Sequence, residues 1–443
     1  MAERQRQREG EALVEHLAPL LDARTGVLAG LGRLAFPAHF PGQMFGYSAA
    51  VPRAVALHSA PVAAGAEVGH LVGYGTSLDE PTAKIRAICE GVERYCAVMY
   101  PTHGLRVASE RDLRPDVLEL RRLPRCSERE RERAPVAHRL PLPDPDREEC
   151  WIRGYSVTRQ KPIWVPVSAA YLGLPFPPAL HVVFPMSTGF AVGASYDAAV
   201  LSALLEVIER DSLALWWLHR LPMPRLVFDE AKEPRLFELL ARNRAVGIEN
   251  HLIDLTTDVG VPVVGIVQTS EAASPHFVAM GACRTTSGAA ALRVLEEAGS
   301  LRIALSQQHA PVRRGQFFEA GGLEPEQFGY LYAPKSAREH FGFALEAPAT
   351  TRVPDAVQDP PLASIVARLS QLGMEVIAVD VTLPEIEGLG LCAVKVIVPE
   401  LMTMTFSHHV RYLGHPRLYA APLALGYGAR NEESITDEPI PFA

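Results

Sequence analysis

The arrangement Glu-x-x-Glu-Arg occurs twice in this chain of 443 residues. Its two copies are Glu90, Glu93 and Arg94, and Glu206, Glu209 and Arg210. Residues three and four apart lie on one face of an α-helix, so each copy, if helical, presents two carboxylates and one guanidinium along a single stripe. Such a stripe can bind a cation through its carboxylates and anionic oxygens through its arginine.

The surroundings of the stripes decide between a structural and a chemical role. On an exposed helix, each ion pair between positions i and i+4 would contribute only about 0.3–0.5 kcal/mol. The second copy, however, lies in a segment that is apolar around most of its circumference, which is typical of a helix packed on several sides. If the two stripes face each other in a cleft, their excess negative charge suits Mg²⁺ bound to phosphate oxygens. We therefore predict a site for a magnesium nucleotide.

A turn of small residues, Ser187 to Gly193, stands just before the second copy. Backbone N–H groups in such a turn can meet an anion, although glycines also serve ordinary turns. The chain contains no G-x-x-x-x-G-K-[ST] and no G-x-G-x-x-G sequence. A P-loop, a protein-kinase glycine loop and a dinucleotide fold are therefore excluded.

The stripes require two long helices, and the hydrophobic pattern predicts them at about residues 81–100 and 196–218. Short β-branched runs predict strands at residues 163–167 and 181–184.

Two later segments, which begin at Gly247 and Gly373, repeat the order strand, Asp-x-Thr turn, strand. They predict two similar αβ units in one sheet-containing body. The charged and proline-rich stretch 107–150, including the block Ser127–Arg133, is expected to be a solvated excursion.

Composition narrows the class of protein. The chain is 48% apolar and 21% charged, as in globular proteins, and its formal charge of -8 gives no reason to expect binding to nucleic acid or to a membrane. Six cysteines without a Cys-x-x-Cys pair argue against a disulfide framework and a structural zinc site. The N-terminus lacks the apolar run of a signal peptide, so we expect a cytoplasmic protein.

Three further stretches, taken with the two Glu-x-x-Glu-Arg copies, resemble the YcaO superfamily. The likeness is closest to its cyclodehydratase D-protein group, which forms azoline rings in ribosomally synthesised peptides. The stretches are Glu297–Arg302, similar to Glu-Ala-x-Gln-x-Arg; Arg411–Arg417, similar to a His-Pro-Arg segment; and the tail Pro439–Ala443, similar to PHPFP. A weaker likeness lies at Asp22–Gly26, and the main match spans about residues 65–443.

The resemblance implies an α+β fold of the YcaO type, with internally duplicated αβ units, mixed or antiparallel sheets and two facing Glu-x-x-Glu-Arg helices. It also implies three regions. These are an N-terminal segment at 1–64, an ATP-binding domain at 65–425 that contains the excursion 107–150, and a proline-containing tail at 426–443.

The implied activity is ATP-dependent and Mg²⁺-dependent cyclodehydration of Cys, Ser or Thr to thiazoline or oxazoline, through phosphorylation of the amide oxygen. The products belong to the thiazole- and oxazole-modified peptides, such as bacteriocins. The implied metal ligands are Glu90, Glu93, Glu206 and Glu209. The implied cofactor-binding residues are Arg86, Glu90, Arg94, Glu206, Arg210 and Arg302. Pro439 and Pro441 would shape the catalytic site.

The resemblance further implies a precursor peptide as substrate, an E1-like or ocin-ThiF-like protein that binds the leader peptide, an FMN-dependent dehydrogenase in some systems, and a homodimer. Two alternatives stay open. The chain could be a catalytically degenerate scaffold or docking subunit, in which Arg86 neutralises the acidic pocket. It could also be a YcaO protein that makes thioamides or amidines from the same activated amide.

Overall fold

The computed structural model describes residues 2–35, 44–52, 71–101, 103–174, 181–272, 274–307, 325–347, 350–353, 361–405 and 407–442. The strands in these ranges are β1 (Leu31–Arg33), β2 (Phe45–Ala50), β3 (Val72–Ser77), β4 (Arg106–Ser109), β5 (Glu148–Ser156), β6 (Lys161–Pro166), β7 (Phe190–Gly193), β8 (Arg225–Val227), β9 (Ile248–Asp254), β10 (Val263–Ser270), β11 (Phe277–Cys283), β12 (Thr350–Arg352), β13 (Ile377–Asp380) and β14 (Cys392–Ile397).

The α-helices of the same ranges are α1 (Ala2–His16), α2 (Glu80–Val98), α3 (Glu110–Leu113), α4 (Glu128–Arg133), α5 (Val167–Ala170), α6 (Tyr196–His219), α7 (Pro234–Ala245), α8 (Ser287–Gln307), α9 (Pro325–Tyr330), α10 (Gly342–Leu345), α11 (Leu362–Gln371), α12 (Pro384–Glu387) and α13 (Arg417–Ala424). The predicted helices at 81–100 and 196–218 are thus present as α2 and α6.

The described strands form three sheets. The first has the order β1-β2-β3, the second β4-β5-β13-β14-β7 with β6 paired to β5, and the third β11-β10-β9-β8-β12. Neighbouring strands are antiparallel, except that β8 and β12 run parallel. The sheets are therefore mixed or antiparallel within an α+β architecture, as predicted.

Side-chain caps fix where the two long helices begin. Asp79 accepts a hydrogen bond from the backbone N–H of Thr82 at 3.0 Å, and Pro81 occupies the first turn of α2, where its missing N–H costs nothing. Ser195 caps α6 in the same way by accepting from the N–H of Ala198 at 3.3 Å. Both stripes are thereby held on well-defined helical faces.

Helices α2 and α6 lie on opposite faces of the second sheet. Along its edge strand β7, Phe190 packs in the core around α2, whereas Ala191 packs in the core around α6. Neighbouring side chains of a strand point to opposite faces, so the two helices must sandwich this edge. The third sheet covers the other side of α6, and α8 packs on β10 and β11.

Strand β3 approaches α2 unusually closely because its glycines have no side chains. A Cβ atom at Gly75 would lie 2.1 Å from the carbonyl oxygen of Ala83 and 2.4 Å from the backbone nitrogen of Ala87. A Cβ atom at Gly73 would lie 2.1 Å from the backbone nitrogen of Gly91. The Gly-Tyr-Gly sequence of β3 is therefore required by backbone-to-backbone packing.

Replacing Gly75 with Ala should lower the free energy of unfolding by about 1–3 kcal/mol, because the added methyl group meets helix backbone that cannot rotate away. Gly342→Ala is the matched control, since a Cβ atom there meets nothing within 4 Å and the residue already has helical dihedral angles. Urea denaturation of the two variants measures the difference. Equal stability would contradict the close packing.

The two predicted strand-turn-strand units are present as the antiparallel pairs β9 and β10, in the third sheet, and β13 and β14, in the second. Two details of the predicted fold were wrong. Residues 181–184 form no strand. The stretch 107–150 is not simply a solvated excursion, because Leu113, Leu118 and Leu123 are buried in the core around α2. The remaining predicted strand, at 163–167, is present as β6.

Within the block Ser127–Arg133, Glu130 is buried and accepts hydrogen bonds from the backbone N–H groups of Arg411 and Leu413. This carboxylate therefore docks α4 onto the C-terminal part of the chain. Among the helices described, none is both long and apolar enough to cross a membrane.

Candidate functional site

Both acidic stripes meet at the edge strand β7. Among the described strands, β7 pairs with β14 alone, and carboxylates from both helices accept backbone N–H groups in or just before β7. Gly189, just before the strand, donates to Glu206 on α6 at 2.9 Å, and Val192 donates to Glu93 on α2. The predicted facing of the two stripes thus occurs around the rim of a sheet.

The electrostatics of Glu93 show how close the two stripes are. Burial, followed by the charges of Glu90 and Glu206, raises the pKa of Glu93 well above its usual value, against the opposing effects of Arg94 and the Val192 N–H. The charge of Glu206 also contributes to the raised pKa of Arg94, whose burial alone would lower it. Carboxylates from both helices therefore lie close enough to affect the pKa values of the same two side chains, Glu93 and Arg94.

On α2, one carboxylate links the helix to β3. Glu90 accepts a hydrogen bond from the guanidinium of Arg94 at 3.0 Å with one oxygen, and from the backbone N–H of Tyr74 at 3.0 Å with the other. Strand β3 is thereby fixed against the acidic stripe.

On α6, the guanidinium of Arg210 lies 3.5 Å from Glu206 and 3.7 Å from Glu209. Glu209 is only 6% exposed and accepts the backbone N–H of Cys283 at 3.0 Å. Burial raises its pKa to about 7; the charge of Arg210 opposes the rise, and the charges of Glu297 and Glu206 add to it. Glu209 is therefore a carboxyl group that titrates near neutral pH.

A third helix, α8, supplies an arginine, Arg293, that the sequence did not single out. The guanidinium of Arg293 lies 2.6 Å from Glu297. Although burial opposes the change, Glu297 and Glu296 raise the pKa of Arg293, and Glu90 and Glu209 contribute to it as well. Arg293 is therefore a third guanidinium at the acidic cluster. The only sequence signal for it is the i, i+4 spacing from Glu297.

Arg302, which the motif places with the phosphate-binding residues, lies elsewhere in this structure. Its guanidinium donates to the side chain of Gln268 at 3.1 Å and to the carbonyl of Pro275 at 2.6 Å, and burial lowers its pKa to about 10. Nine residues after Arg293 correspond to about two and a half helical turns, which puts Arg302 on the opposite side of α8. The structure does not bring it together with the stripes.

Arg86 is engaged by α8 and β3. Its guanidinium donates to Glu296 at 2.6 Å and to the carbonyl of Thr76 at 2.5 Å. Glu296 is buried and also accepts from Ser77 at 3.0 Å. Arg86 thus anchors α2 to α8, and its guanidinium does not pair with Glu90 or Glu93.

A buried lysine that sequence reasoning missed lies behind the turn before β7. Lys395 on β14 donates to the carbonyls of Met186 at 2.7 Å and Thr188 at 2.6 Å. Burial lowers its pKa to about 7, while Glu206 opposes the change. Its ammonium group borders a cavity of about 80 Å³ that Thr188 and Val207 also line. Lys395 therefore holds the turn whose Gly189 N–H reaches Glu206.

The tail prolines lie at the far end of α6. Pro439 is buried and its carbonyl accepts from the hydroxyl of Tyr332, while the indole of Trp217 donates to Glu438 at 3.3 Å. Trp217 follows Arg210 by seven residues, or about 10 Å along the helix axis. Pro439 therefore does not contact the acidic cluster. Pro441 is buried beside it in the chain.

The oxygen donors of the two stripes match the chemistry of the predicted metal, Mg²⁺. Carboxylate oxygens are ligands that Mg²⁺ prefers, and the raised pKa values of Glu93 and Glu209 indicate buried carboxyls whose negative charge lacks full compensation. In the described ranges, no three His, Cys, Asp or Glu side chains are already gathered as a metal site. The carboxylates of the two stripes fit Mg²⁺ because this ion prefers oxygen ligands and usually keeps waters and substrate phosphates beside one or two carboxylates.

The geometry defines an α+β protein with an acidic and arginine-rich cluster at a sheet edge. A family model described as YcaO cyclodehydratase, ATP- and Mg²⁺-binding, matches residues 73–402. The chain belongs to the YcaO family. This confirms the suspected family and fold, and, because the family binds ATP and Mg²⁺, it confirms these two cofactors.

Solved structures share this fold. A heterocyclase in complex with substrate and cofactor has a TM-score of 0.80 at 23% identity, over 98% of this chain and 57% of its own. YcaO from Methanopyrus kandleri bound with AMPPCP and Mg²⁺ has a TM-score of 0.62 at 20% identity, over 92% of this chain and 93% of its own.

An uncharacterized protein from Methanothermobacter thermautotrophicus is 27% identical over 265 residues, which are 57% of this chain and 65% of the relative. The chain thus spans less than two thirds of that relative and little more than half of the solved heterocyclase.

Proposed function

We propose that the protein is an ATP-dependent cyclodehydratase, which converts Cys, Ser or Thr of a ribosomally synthesised precursor peptide to thiazoline or oxazoline. The observation that carries the proposal is the meeting of the two Glu-x-x-Glu-Arg stripes at the edge of β7, where the charge of Glu206 on α6 contributes to the raised pKa of Glu93 on α2. Membership of a family that binds ATP and Mg²⁺ supports it.

In the proposed reaction, the substrate's side-chain sulfur or oxygen forms a bond to the carbon of the preceding amide and gives up its proton. Mg–ATP, when bound, supplies the phosphoryl group that the amide oxygen takes up. The C–O bond then breaks with loss of the amide proton, so that phosphate leaves, ADP remains and a C=N bond completes the azoline ring. Each ring therefore consumes one ATP and removes one water from the peptide.

The chain's own residues would position and neutralise charge, as is typical of phosphoryl transfer. Arg94, Arg210 and Arg293 are the guanidinium groups at the cluster, and they would donate to phosphate oxygens. The residues that would hold Mg²⁺ are Glu90, Glu93, Glu206 and Glu209. The buried Lys395 would hold the turn 186–189 in the position from which the Gly189 N–H donates to Glu206.

The finer assignments follow from the same proposal. The ATP-binding domain at 65–425 encloses the family match at 73–402, and the tail 426–443 would contribute Pro439 and Pro441 to the peptide side of the site rather than to the nucleotide side. A leader-binding E1-like protein and a second copy of the chain are the partners we propose. The solved heterocyclase in complex with substrate and cofactor supports the proposal that this chain binds both.

The catalytically degenerate alternative depends on Arg86 neutralising the acidic pocket. Arg86 instead donates hydrogen bonds to Glu296 and to the carbonyl of Thr76. The guanidinium group that donates to Glu90 is that of Arg94. This geometry favours the enzyme over the scaffold.

Calorimetric titration of the chain with Mg–ATP tests the nucleotide site. We expect binding that Glu206→Gln weakens at least about tenfold, since the loss of one charged ligand costs about 1.4 kcal/mol or more. Glu238→Gln is the matched control, because Glu238 also forms an i, i+4 pair with an arginine but lies on α7. Equal binding by all three proteins would overturn the proposed site.

Mass spectrometry of precursor peptides tests the chemistry. With Mg–ATP and a leader-binding partner, the expected product has lost one water per ring, with equal release of ADP. Exchange of oxygen for sulfur would instead identify a thioamide-forming enzyme. An unchanged peptide, together with intact Mg–ATP binding, would contradict cyclodehydration and leave the scaffold.

A further inference from the structure

An exposed aromatic residue is bound through its backbone to the acidic cluster. Tyr74 is 46% exposed, although its backbone N–H is fixed to Glu90 at 3.0 Å. Large aromatic side chains usually bury their rings, and an exposed one next to a ligand site calls for a functional account. The roles assigned so far to residues that bind metal, phosphate or peptide do not account for the exposure of this ring.

The alternation of β3 settles which way the ring faces. Gly73 and Gly75 lie against the backbone of α2. Tyr74 therefore lies on the opposite face of the strand, together with Thr76, whose hydroxyl donates to the carbonyl of Glu296 at 3.2 Å. The ring thus stands on the face of the sheet that α8 covers at Thr76, about two residues, or roughly 7 Å, from that contact.

The neighbours of Tyr74 across the sheet are small. Its partner on β2 is Ser48, and the partner of Ser48 on β1 is the exposed Gly32. The buried Tyr47 lies on the other face, where its hydroxyl bonds Glu80. The row Tyr74, Ser48 and Gly32 therefore places one aromatic ring beside two small residues.

We propose that the ring of Tyr74 is the platform on which the base of the bound nucleotide stacks. The inference rests on the proposed nucleotide site, which it deepens by assigning the base subsite. In the proposed site the triphosphate would lie among Arg94, Arg210 and Arg293. The same Glu90 that pairs with Arg94 also accepts the backbone N–H of Tyr74. Glu90 thus positions both Arg94, which would bind phosphate, and Tyr74, on which the base would stack. The base and the phosphates would therefore be bound by different side chains.

The separation of the two contacts gives a sharp test. Mg–ATP and inorganic tripolyphosphate with Mg²⁺ are titrated calorimetrically into the wild-type chain, Tyr74→Ala and Tyr74→Phe. The alanine variant should bind Mg–ATP about 5- to 150-fold more weakly, because that is the usual effect of removing an aromatic ring under a base. Its affinity for tripolyphosphate should equal that of the wild type, and the phenylalanine variant should retain Mg–ATP binding.

Tyr155→Ala is the matched control, since Tyr155 is a second exposed tyrosine on a strand, 40% exposed, in another sheet. A second readout does not depend on affinity. The fluorescence of 2-aminopurine riboside triphosphate should be quenched on saturating the wild type and Tyr74→Phe, and recover in Tyr74→Ala, because stacking on the ring causes the quenching.

The outcomes separate the inference from the nucleotide site itself. If the wild type binds Mg–ATP, and Tyr74→Ala neither weakens that binding nor restores the fluorescence, the stacking role is wrong and the site stands. A parallel loss of ATP and tripolyphosphate binding would show a damaged phosphate site and also overturn the assignment. If the wild type binds neither ligand, the proposed nucleotide site fails and the base subsite fails with it.

Discussion

Glu209→Gln should make the ligand-free protein more stable at about pH 8 while abolishing Mg²⁺-dependent nucleotide binding. The folded protein raises the pKa of Glu209 from 4.5 to about 7. Between these values the folded chain holds a proton that the unfolded chain has released, so the stability of the wild type falls as the pH rises through this window. Above it, the ionised carboxylate costs up to about 3 kcal/mol, which the glutamine variant avoids.

Glutamine also preserves the local structure, because its carbonyl oxygen can still accept the N–H of Cys283. The measurement is urea denaturation of both proteins at several pH values. The advantage of the variant should shrink as the pH falls from about 7 toward 4.5. Glu238→Gln, on the exposed face of α7, should show no such dependence. Loss of stability at every pH would mean that Arg210 fully compensates the ionised carboxylate.

The opposite effects on stability and binding have a common origin. A carboxylate that is buried without full compensation destabilises the empty protein, and the same group gains most when a cation arrives. Sites built for ligands often carry such a cost. An increase in stability that coincides with a loss of Mg–ATP binding would therefore distinguish a ligand site from a structural ion-pair network, in which both changes would be unfavourable.

The two long helices were predictable from the sequence because their determinants are local. The caps Asp79 and Ser195 and the periodic apolar residues define α2 and α6 to within about two residues. The shared face of each stripe follows from helix geometry alone. That the stripes meet was a conditional inference, and it depended on the apolar character of α6.

The parts that the sequence did not reveal depend on long-range pairing. Lys395 reaches the site only because β14 pairs with β7, and Tyr74 only because β3 packs on α2. The excursion 107–150 looks solvated because its few leucines are separated by charged residues, yet they cover a core formed by distant segments. Arg302 lies on the opposite side of α8 from Arg293, a placement that the spacing of its motif does not reveal.

The His-Pro-Arg segment has a role that neither motif nor composition indicated. Arg417 is 7% exposed and pairs with Asp211, which is completely buried, through two hydrogen bonds of 2.7 Å. It also binds Asp258 at 2.8 Å, in the turn after β9. Asp211 directly follows Arg210, so this cluster fixes the rotation of α6 next to the proposed phosphate-binding arginine.

Arg417→Met should lower the free energy of unfolding by about 3–5 kcal/mol, because it leaves the carboxylate of Asp211 buried without its cation. Urea denaturation followed by tryptophan fluorescence measures the loss, since Trp216 and Trp217 lie on the same helix. Arg411→Met is a control of the same chemistry, in which an arginine pairs with the exposed Asp437 and should cost much less.

The double variant Arg417→Met, Asp211→Asn tests the cause of that loss. Asparagine removes the buried charge but can still accept the backbone N–H of Met402, which Asp211 binds at 2.8 Å. The double variant should therefore regain much of the stability lost in the single variant. If it is as unstable as Arg417→Met, lost packing and not the unpaired charge accounts for the effect. Weakened Mg–ATP binding in a stable double variant would show that the cluster also positions Arg210.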